Sequence, residues 1–557
     1  MSPDIFALCD ALVDEHATLS PVLATMAGIR GYDHLWDDFS TAGYEARRAA
    51  LESQLARVRA AETGGDPWGV MAVEVAAAAL EDDLTQFGTA EHLRDLNNID
   101  STLQHLRDVF EHMGKETREE WEAVVARLEG LPAAAAAYRL RLEDGRRQGL
   151  AVARRQVVEG ARQARHAAGE AASLRRLAGE YSGAGLGDDA LGERVTAGIS
   201  GALAAFAETA AYLERDYLPS AVEADGVGEE RYSRLARRFL GSAPDLRDTY
   251  AWGWEEVARL LRRMEETAAA ILPGTPRPEV LRLLQEDPAR AAASPEEFRQ
   301  LMQARQEAAL ADLQGAHFDV PEPIRRVDVK LAPPGGALGA FYVGPSEDFT
   351  RPGTVWFALG EQQVVPIFDQ VTTNYHEGFP GHHLQNGIQL ISPARLSRFQ
   401  KLLVWYPGSG EGWALYAEDI MEELGYLEKP DYLMGKLAGE MLRACRVVID
   451  IGCHLGLPIP AGQPFHTGEE WGFETAVEML VDYAAQPRDV AESEVTRYLG
   501  WPGQAIAYKV GQQAIRDLRA DAVRRHGPGF DRKAFHLRLL EIGAVGLDVL
   551  RRHLAGF

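Results

Sequence analysis

The sequence predicts a mainly α protein: two helical lobes flanking a cleft, with a small β-sheet or hairpin element around residues 325–360. Three observations predict it. From Ser20 to Asp312, apolar residues recur at three- and four-residue spacing, as in Leu51-Leu55-Val58 and Leu203-Phe206-Ala210-Leu213. That is the period of amphipathic helices. Between Val320 and Phe368, Pro and Gly become frequent and short β-prone runs stand out: Val327–Leu331, Phe341-Tyr342-Val343 and Thr354–Phe357. From Gln370 onward the helical spacing returns. The expected organisation is therefore a helical lobe over 1–320, a β-rich insert over 321–370 and a second helical lobe over 371–557. Within the lobes, turn residues cluster at Gly64–Pro67, Gly183–Gly185, Pro273–Pro276, Ala293–Pro295, Pro407–Gly410, Pro458–Gly462 and Gly527–Gly529, and no repeat of fixed period is present.

With 557 residues the chain exceeds one ordinary core. Hydrophobic residues at 46% and charged residues at 25% exclude wholesale disorder. A net charge of -25 repels polyphosphate, so no nucleic-acid partner is expected. The Ala- and Arg-rich stretch 136–210 has acidic residues interleaved and reads as solvated helix surface. No apolar run is long enough to span a membrane, and the acidic start (Asp4, Asp10, Asp14, Glu15) does not read as a signal peptide. Cys9, Cys445 and Cys453 are too few for a disulfide framework. Together these point to a cytoplasmic chain with reduced thiols, for which a homodimer is a compatible assembly.

Chemistry concentrates in His376-Glu377-Gly378-Phe379-Pro380-Gly381-His382-His383. In the zinc hydrolase pattern H-E-x-x-H, two imidazoles one helical turn apart chelate the metal. Here the fourth residue after His376 is Pro380, so that pattern is not met. On an unbroken helix His376 and His382 would point about 120° apart, and His376 and His383 would sit about 10 Å apart along the axis. Pro380, however, cannot donate to the carbonyl of His376, and Gly378 and Gly381 permit unusual backbone angles. A local bulge of about two residues would bring His376 and His382 onto one ion. His383 is the runner-up ligand, or a substrate contact. A catalytic zinc keeps three protein ligands. Glu411, placed in the first turn of a helix behind a Gly-Ser-Gly cap, is the expected third, with Glu418 two turns on as a supporting group or alternative ligand.

Other polar groups stand in apolar surroundings. Arg446, Asp450 and His454 share one face of a predicted helix, Glu440 to Leu455. A polar stripe on a buried helix needs partners. The alternatives are an Arg446–Asp450 ion pair, or Asp450 orienting a metal-bound imidazole with His454 facing substrate. Near the C-terminus, Tyr508 heads a group with Arg497 and Tyr498 that offers oxyanion or substrate contacts.

These segments resemble the DUF885 family of bacterial proteins. The matching stretches are His376-Glu-Gly-Phe-Pro-Gly-His-His-Leu-Gln385, Glu411-Gly-Trp-Ala-Leu-Tyr-Ala-Glu418, Arg446-Val-Val-Ile-Asp-Ile-Gly-Cys-His454 and Pro502-Gly-Gln-Ala-Ile-Ala-Tyr-Lys-Val-Gly511. The resemblance, in turn similar to gluzincin-type zinc peptidases, implies peptide hydrolysis with one zinc ion per chain. It implies His376, His382 and Glu411 as ligands and Glu377 as general base. The expected chemistry is metal-activated water attacking a short peptide, with Tyr508 or His454 steadying the oxyanion. Two other readings fit the residues: a non-haem iron oxidoreductase built on two His and one carboxylate, and an inactive helical binding protein.

Overall fold

The computed structural model describes residues 4–332, 339–346, 349–391 and 395–556. The protein is mainly α-helical, with two small sheets among the described residues. No helix among them is long and apolar enough to cross a membrane.

Two compact units are formed. The first comprises Met1–Gly226, Ser397–Leu403 and Leu499–Trp501. Its core is organised by α1 (Arg118–Arg147) and α2 (Asp189–Tyr212). Thr117 and Glu120 form a reciprocal capping box at the start of α1, and Trp121, Val124, Leu128, Leu131, Tyr138 and Leu142 follow at helical spacing on its buried face. The Arg-rich stretch is in part a solvated surface, where Arg146 meets Glu143 at 2.6 Å, Arg162 meets Glu159 at 2.6 Å and Arg194 meets Glu129 at 2.9 Å, but Arg141 is buried against Asp95 and Tyr44. Such exposed pairs contribute little.

The second unit comprises Val227–Leu396, Val404–Tyr498 and Pro502–Phe557. The boundary at Gly226 falls earlier than the one expected at 320. The helices α3 (Glu229–Leu240), α4 (Leu246–Ile271) and α5 (Pro295–Leu313) therefore belong with the second unit, because their apolar faces are buried there. The expected insert 321–370 is likewise part of this unit. Strand β1 (Ala291–Ala292) precedes α5, and β2 (Val327–Leu331), β3 (Gly339–Val343), β4 (Gly353–Ala358) and β5 (Val365–Pro366) follow it. The larger sheet has the order β2-β4-β3, with β2 parallel and β3 antiparallel to β4, and β1 pairs with β5. α5 covers the outer edge of β2, where the side chain of Gln303 accepts from the Val329 amide at 2.7 Å and donates to the Val327 carbonyl at 3.1 Å.

Behind the sheet run α6 (Gln370–Glu377), α7 (His382–Ile391), α8 (Pro407–Glu423), α9 (Pro430–Leu455), α10 (Arg488–Gly500) and α11 (Ala507–His526). α8 crosses α11 at glycine-to-glycine distance: a Cβ on Gly511 would lie 1.7 Å from the Gly408 carbonyl, and one on Gly412 would lie 2.6 Å from Gly511. α9 packs along α4, and Gly253 makes room for Val447 and Val448. A buried ionic network ties these helices together. Lys436 reaches Glu440 at 2.6 Å and Asp419 at 2.9 Å, Lys509 reaches Glu440 and Glu256 at 3.1 Å, and Arg516 reaches Asp419 at 2.7 Å. Burying these charges is costly, so their pairing constrains which helix faces meet more than it adds stability.

Candidate metal centre

The chain breaks at Pro380 as its chemistry demands, but not as a bulge. α6 stops at Glu377 and α7 begins anew at His382, so the expected two-residue bulge in one continuous helix is replaced by two helices. Pro380 has no N–H for a helical bond. The Phe379 amide donates instead to the Gln306 side chain on α5 at 2.8 Å, and the Gly381 amide donates to the Tyr375 carbonyl at 3.1 Å. A Cβ on Gly381 would lie 1.9 Å from the His376 carbonyl, so only glycine fits there. The Phe379–Pro380 peptide is cis. Trp413 of α8 pins this turn by donating to the carbonyls of Pro380 and Gly381 at 3.0 and 3.2 Å. His376 at the end of one helix and His382 at the start of the next thus face each other, ring centres 5.1 Å apart and planes at 89°.

α8 starts one turn earlier than expected. Pro407 occupies its first position, so Gly408, Ser409 and Gly410 are helical and Glu411 lies in the second turn. Glu411 and Glu418 project from the same face. Glu411 Oε2 sits 3.3 Å from His376 Nε2 and 3.6 Å from His382 Nε2. One donor atom from each of the three residues lies within 4.8 Å of the others. Tetrahedral zinc with bonds of roughly 2.0–2.1 Å places its ligand atoms about 3.3 Å apart, so the donor set and its spacing fit such an ion.

The reverse side of each imidazole is also held. His376 Nδ1 bonds Glu418 Oε1 at 2.9 Å, and the Thr372 hydroxyl donates to the other Glu418 oxygen. His382 Nδ1 bonds Gln385 Oε1 at 3.2 Å. With acceptors on both Nδ1 atoms, both Nε2 atoms face Glu411, the arrangement that leaves Nε2 as the metal-binding nitrogen. Burial alone would push His376 down, but Glu411, Glu418 and the charge of Glu377 carry it up to about 10. Burial would raise Glu411, yet the two imidazoles hold it well below the usual carboxylate range. Both shifts express one fact: the point where these atoms meet favours positive charge. Glu377 is half-buried, has no hydrogen-bond partner among the described residues, and is pushed up by burial against the opposing pull of His376 and His382.

Residues 21–554 match the family described as bacterial protein of unknown function (DUF885). The chain belongs to the DUF885 family. A putative lipoprotein from Colwellia psychrerythraea shares the fold with a TM-score of 0.85 at 22% identity, over 100% of this chain and 99% of that one. A putative lipoprotein of unknown function from Shewanella oneidensis shares it with a TM-score of 0.76 at 18% identity, over 99% of each chain. Among curated proteins none matches.

The other predicted site residues of this DUF885 chain lie elsewhere. His383 is fully buried, bonding Tyr342 Oη through Nδ1 at 2.9 Å and the Ile324 carbonyl through Nε2 at 2.8 Å. Burial drives it down to about 4. Both nitrogens are consumed, so the expectation of a substrate contact or second ligand is corrected: His383 anchors β3 to α7. Asp450 does not touch either candidate ligand imidazole. It accepts from Tyr232 Oη at 2.8 Å and from the Gly503 amide at 3.0 Å, and Glu418 has the orienting position expected of it. His454 is buried, with Nε2 on the Tyr498 carbonyl at 3.0 Å and its ring tilted on Tyr232, so it does not face substrate. Arg446 pairs with Glu494 at 2.7 Å rather than with Asp450. Arg497 and the buried Tyr498 meet the same Glu494 carboxylate at 2.9 and 2.6 Å, which corrects their assignment as substrate contacts. Tyr508 is half-buried on α11, with the Arg446 guanidinium 4.9 Å over its ring.

Three residues near the triad escaped the sequence reading. Trp405, 47% exposed, tilts over His382 at 6.1 Å, in space that Gly410 leaves open. Trp413 holds the turn. Arg443 lies on α9, one turn from Arg446 and on the stripe already recognised as unusual, and its charge lowers both Glu377 and Glu418. An arginine between Glu440 and Arg446 on a buried helix was the available signal.

Proposed function

We propose that this chain is a zinc-dependent hydrolase acting on short peptides. The observation that carries the reading is the convergence of His376, His382 and Glu411, with the half-buried Glu377 next in sequence to the first of them. When bound, zinc supplies Lewis acidity, making a water more acidic and a carbonyl more electrophilic. Glu377 takes the proton from the attacking water and returns it to the leaving amine. Glu418 keeps His376 in the tautomer that offers Nε2. The exposed indole of Trp405 beside His382 gives a substrate side chain an apolar surface. Tyr508 is the oxyanion donor in this reading. An unpaired carboxylate poised as a base favours hydrolysis over oxygen chemistry.

The test is cleavage of a mixed peptide library by purified protein, with and without chelator, read by mass spectrometry. Chelator-sensitive cleavage restored by zinc is expected. Metal-free protein, or cleavage indifferent to chelator, would contradict the reading.

A further inference from the structure

Among the described residues, the buried and half-buried arginines of α4, α9, α10 and α11 are, with one exception, locked to carboxylates. Arg446 and Arg497 hold Glu494, Arg516 holds Asp419, Arg259 holds Glu256 at 2.8 Å, and Arg263 holds Glu422. Arg443 is the exception. Its Nη1 donates to the Gly439 carbonyl of its own helix at 3.0 Å, and among the described residues no carboxylate oxygen lies within 4.0 Å of it. Its Nε is buried without a hydrogen-bond partner. A guanidinium presents five donors in a planar fork matched to a carboxylate, and leaving them unmet at a half-buried site is costly.

Place gives this vacancy meaning. α9 packs on α6, the helix that ends in His376 and Glu377. Arg443 is near enough for its charge to reach Glu377 and Glu418, yet it contacts neither. Glu377 in turn has no partner among the described residues. Among the described residues, an acid without a hydrogen-bond partner and a guanidinium without a carboxylate therefore stand near the same centre without closing on each other.

Resting on the hydrolase reading, we infer that Arg443 receives a carboxylate of the substrate, so that the bonds cleaved lie next to an acidic group. The carboxylate is either the free C-terminus of a short peptide or an Asp or Glu side chain beside the scissile bond. Arg443 then sets specificity, and the proton transfers remain with Glu377.

The experiment compares wild type with Arg443→Met and Arg443→Lys. Turnover is measured on N-acetylated dipeptides of mixed sequence as free acids, as C-terminal amides, and as amides carrying Asp or Glu at the second residue. Binding of N-acetyl-L-phenylalanine and its amide is measured by calorimetry on zinc-loaded protein, a readout that needs no turnover. Zinc content and melting temperature are recorded for each variant. Wild type should favour acid over amide by about 10- to 100-fold, the worth of a charged hydrogen-bond pair. Arg443→Met should erase that preference with zinc retained, and Arg443→Lys should keep part of it. Preference for the acidic amides alone would assign the carboxylate to a side chain. Equal binding of acid and amide by wild type, or equal loss of both in Arg443→Met, overturns the inference, while chelator-sensitive cleavage persisting in that case leaves the hydrolase reading standing. Acid preference without any metal-dependent cleavage has the opposite meaning.

Discussion

Two polar clusters of the second unit make an instructive pair. At the Pro380 break, His376, His382 and Glu411 bring one ligand atom each to within 4.8 Å of the others, and the two imidazoles are held from behind by Glu418, itself bonded by Thr372, and by Gln385. On the last turns of α9, Arg446, Asp450 and His454 are equally polar and equally unusual for a buried helix, but each meets a protein partner of its own in Glu494, Tyr232 and the Tyr498 carbonyl, although Asp450 Oδ1 and His454 Nδ1 have no hydrogen-bond partner among the described residues. The first cluster brings three metal-ligating side chains to one point, and the second is a set of groups each met by a protein partner of its own. The lesson is that a buried polar stripe points to metal chemistry when its members bring ligand atoms of the right kind to one point, not merely because it is polar and buried.

The sharpest way to break this contrast is Glu377→Gln. Turnover should fall by about 10²- to 10⁴-fold with zinc retained, whereas His454→Gln should leave turnover within a few fold and lower the melting temperature. Similar losses in both would erase the distinction. Glu418→Ala comes next: loss of the acceptor behind His376 should weaken zinc by about 10- to 100-fold, measured by competition with a chromophoric chelator.

Gly381→Ala probes the break itself. With the His376 carbonyl 1.9 Å from the new Cβ, the turn must shift, at about 1–3 kcal/mol by denaturant titration. Zinc affinity should fall with it, and an unchanged variant would show that the turn does not set the ligand geometry. The smallest expected effect belongs to the sealed cluster. Burial lifts Asp450 from 3.8 to about 8. The folded chain thus holds a proton that the unfolded chain releases, so this group's contribution is full below about 3.8 and is lost as pH rises through about 8. Asp450→Asn should flatten that part of the melting temperature's pH dependence and leave zinc content unchanged.

Much of this was legible in the sequence for physical reasons. Helical spacing carries the mainly α fold, and a proline between two glycines in a histidine-rich stretch announces a broken helix. The form of the break was not legible, because it depends on Gln306 and Trp413 capturing amide and carbonyl groups from far away in the chain. His383 and His454 were misread for the same reason: a histidine's role follows from what meets its two nitrogens, and Tyr342, Ile324 and Tyr498 are supplied by tertiary packing. The boundary at Gly226 was hidden because α3, α4 and α5 share the composition of the helices before them, and only their packing assigns them to the second unit.

The most direct test of the central claim is metal analysis of the protein purified without added metal, beside His376→Ala, Glu411→Ala and His454→Ala. The expected result is one zinc per chain in the native protein and in His454→Ala, and none in the other two. Native protein without stoichiometric metal, or His376→Ala and Glu411→Ala retaining it, would contradict the account.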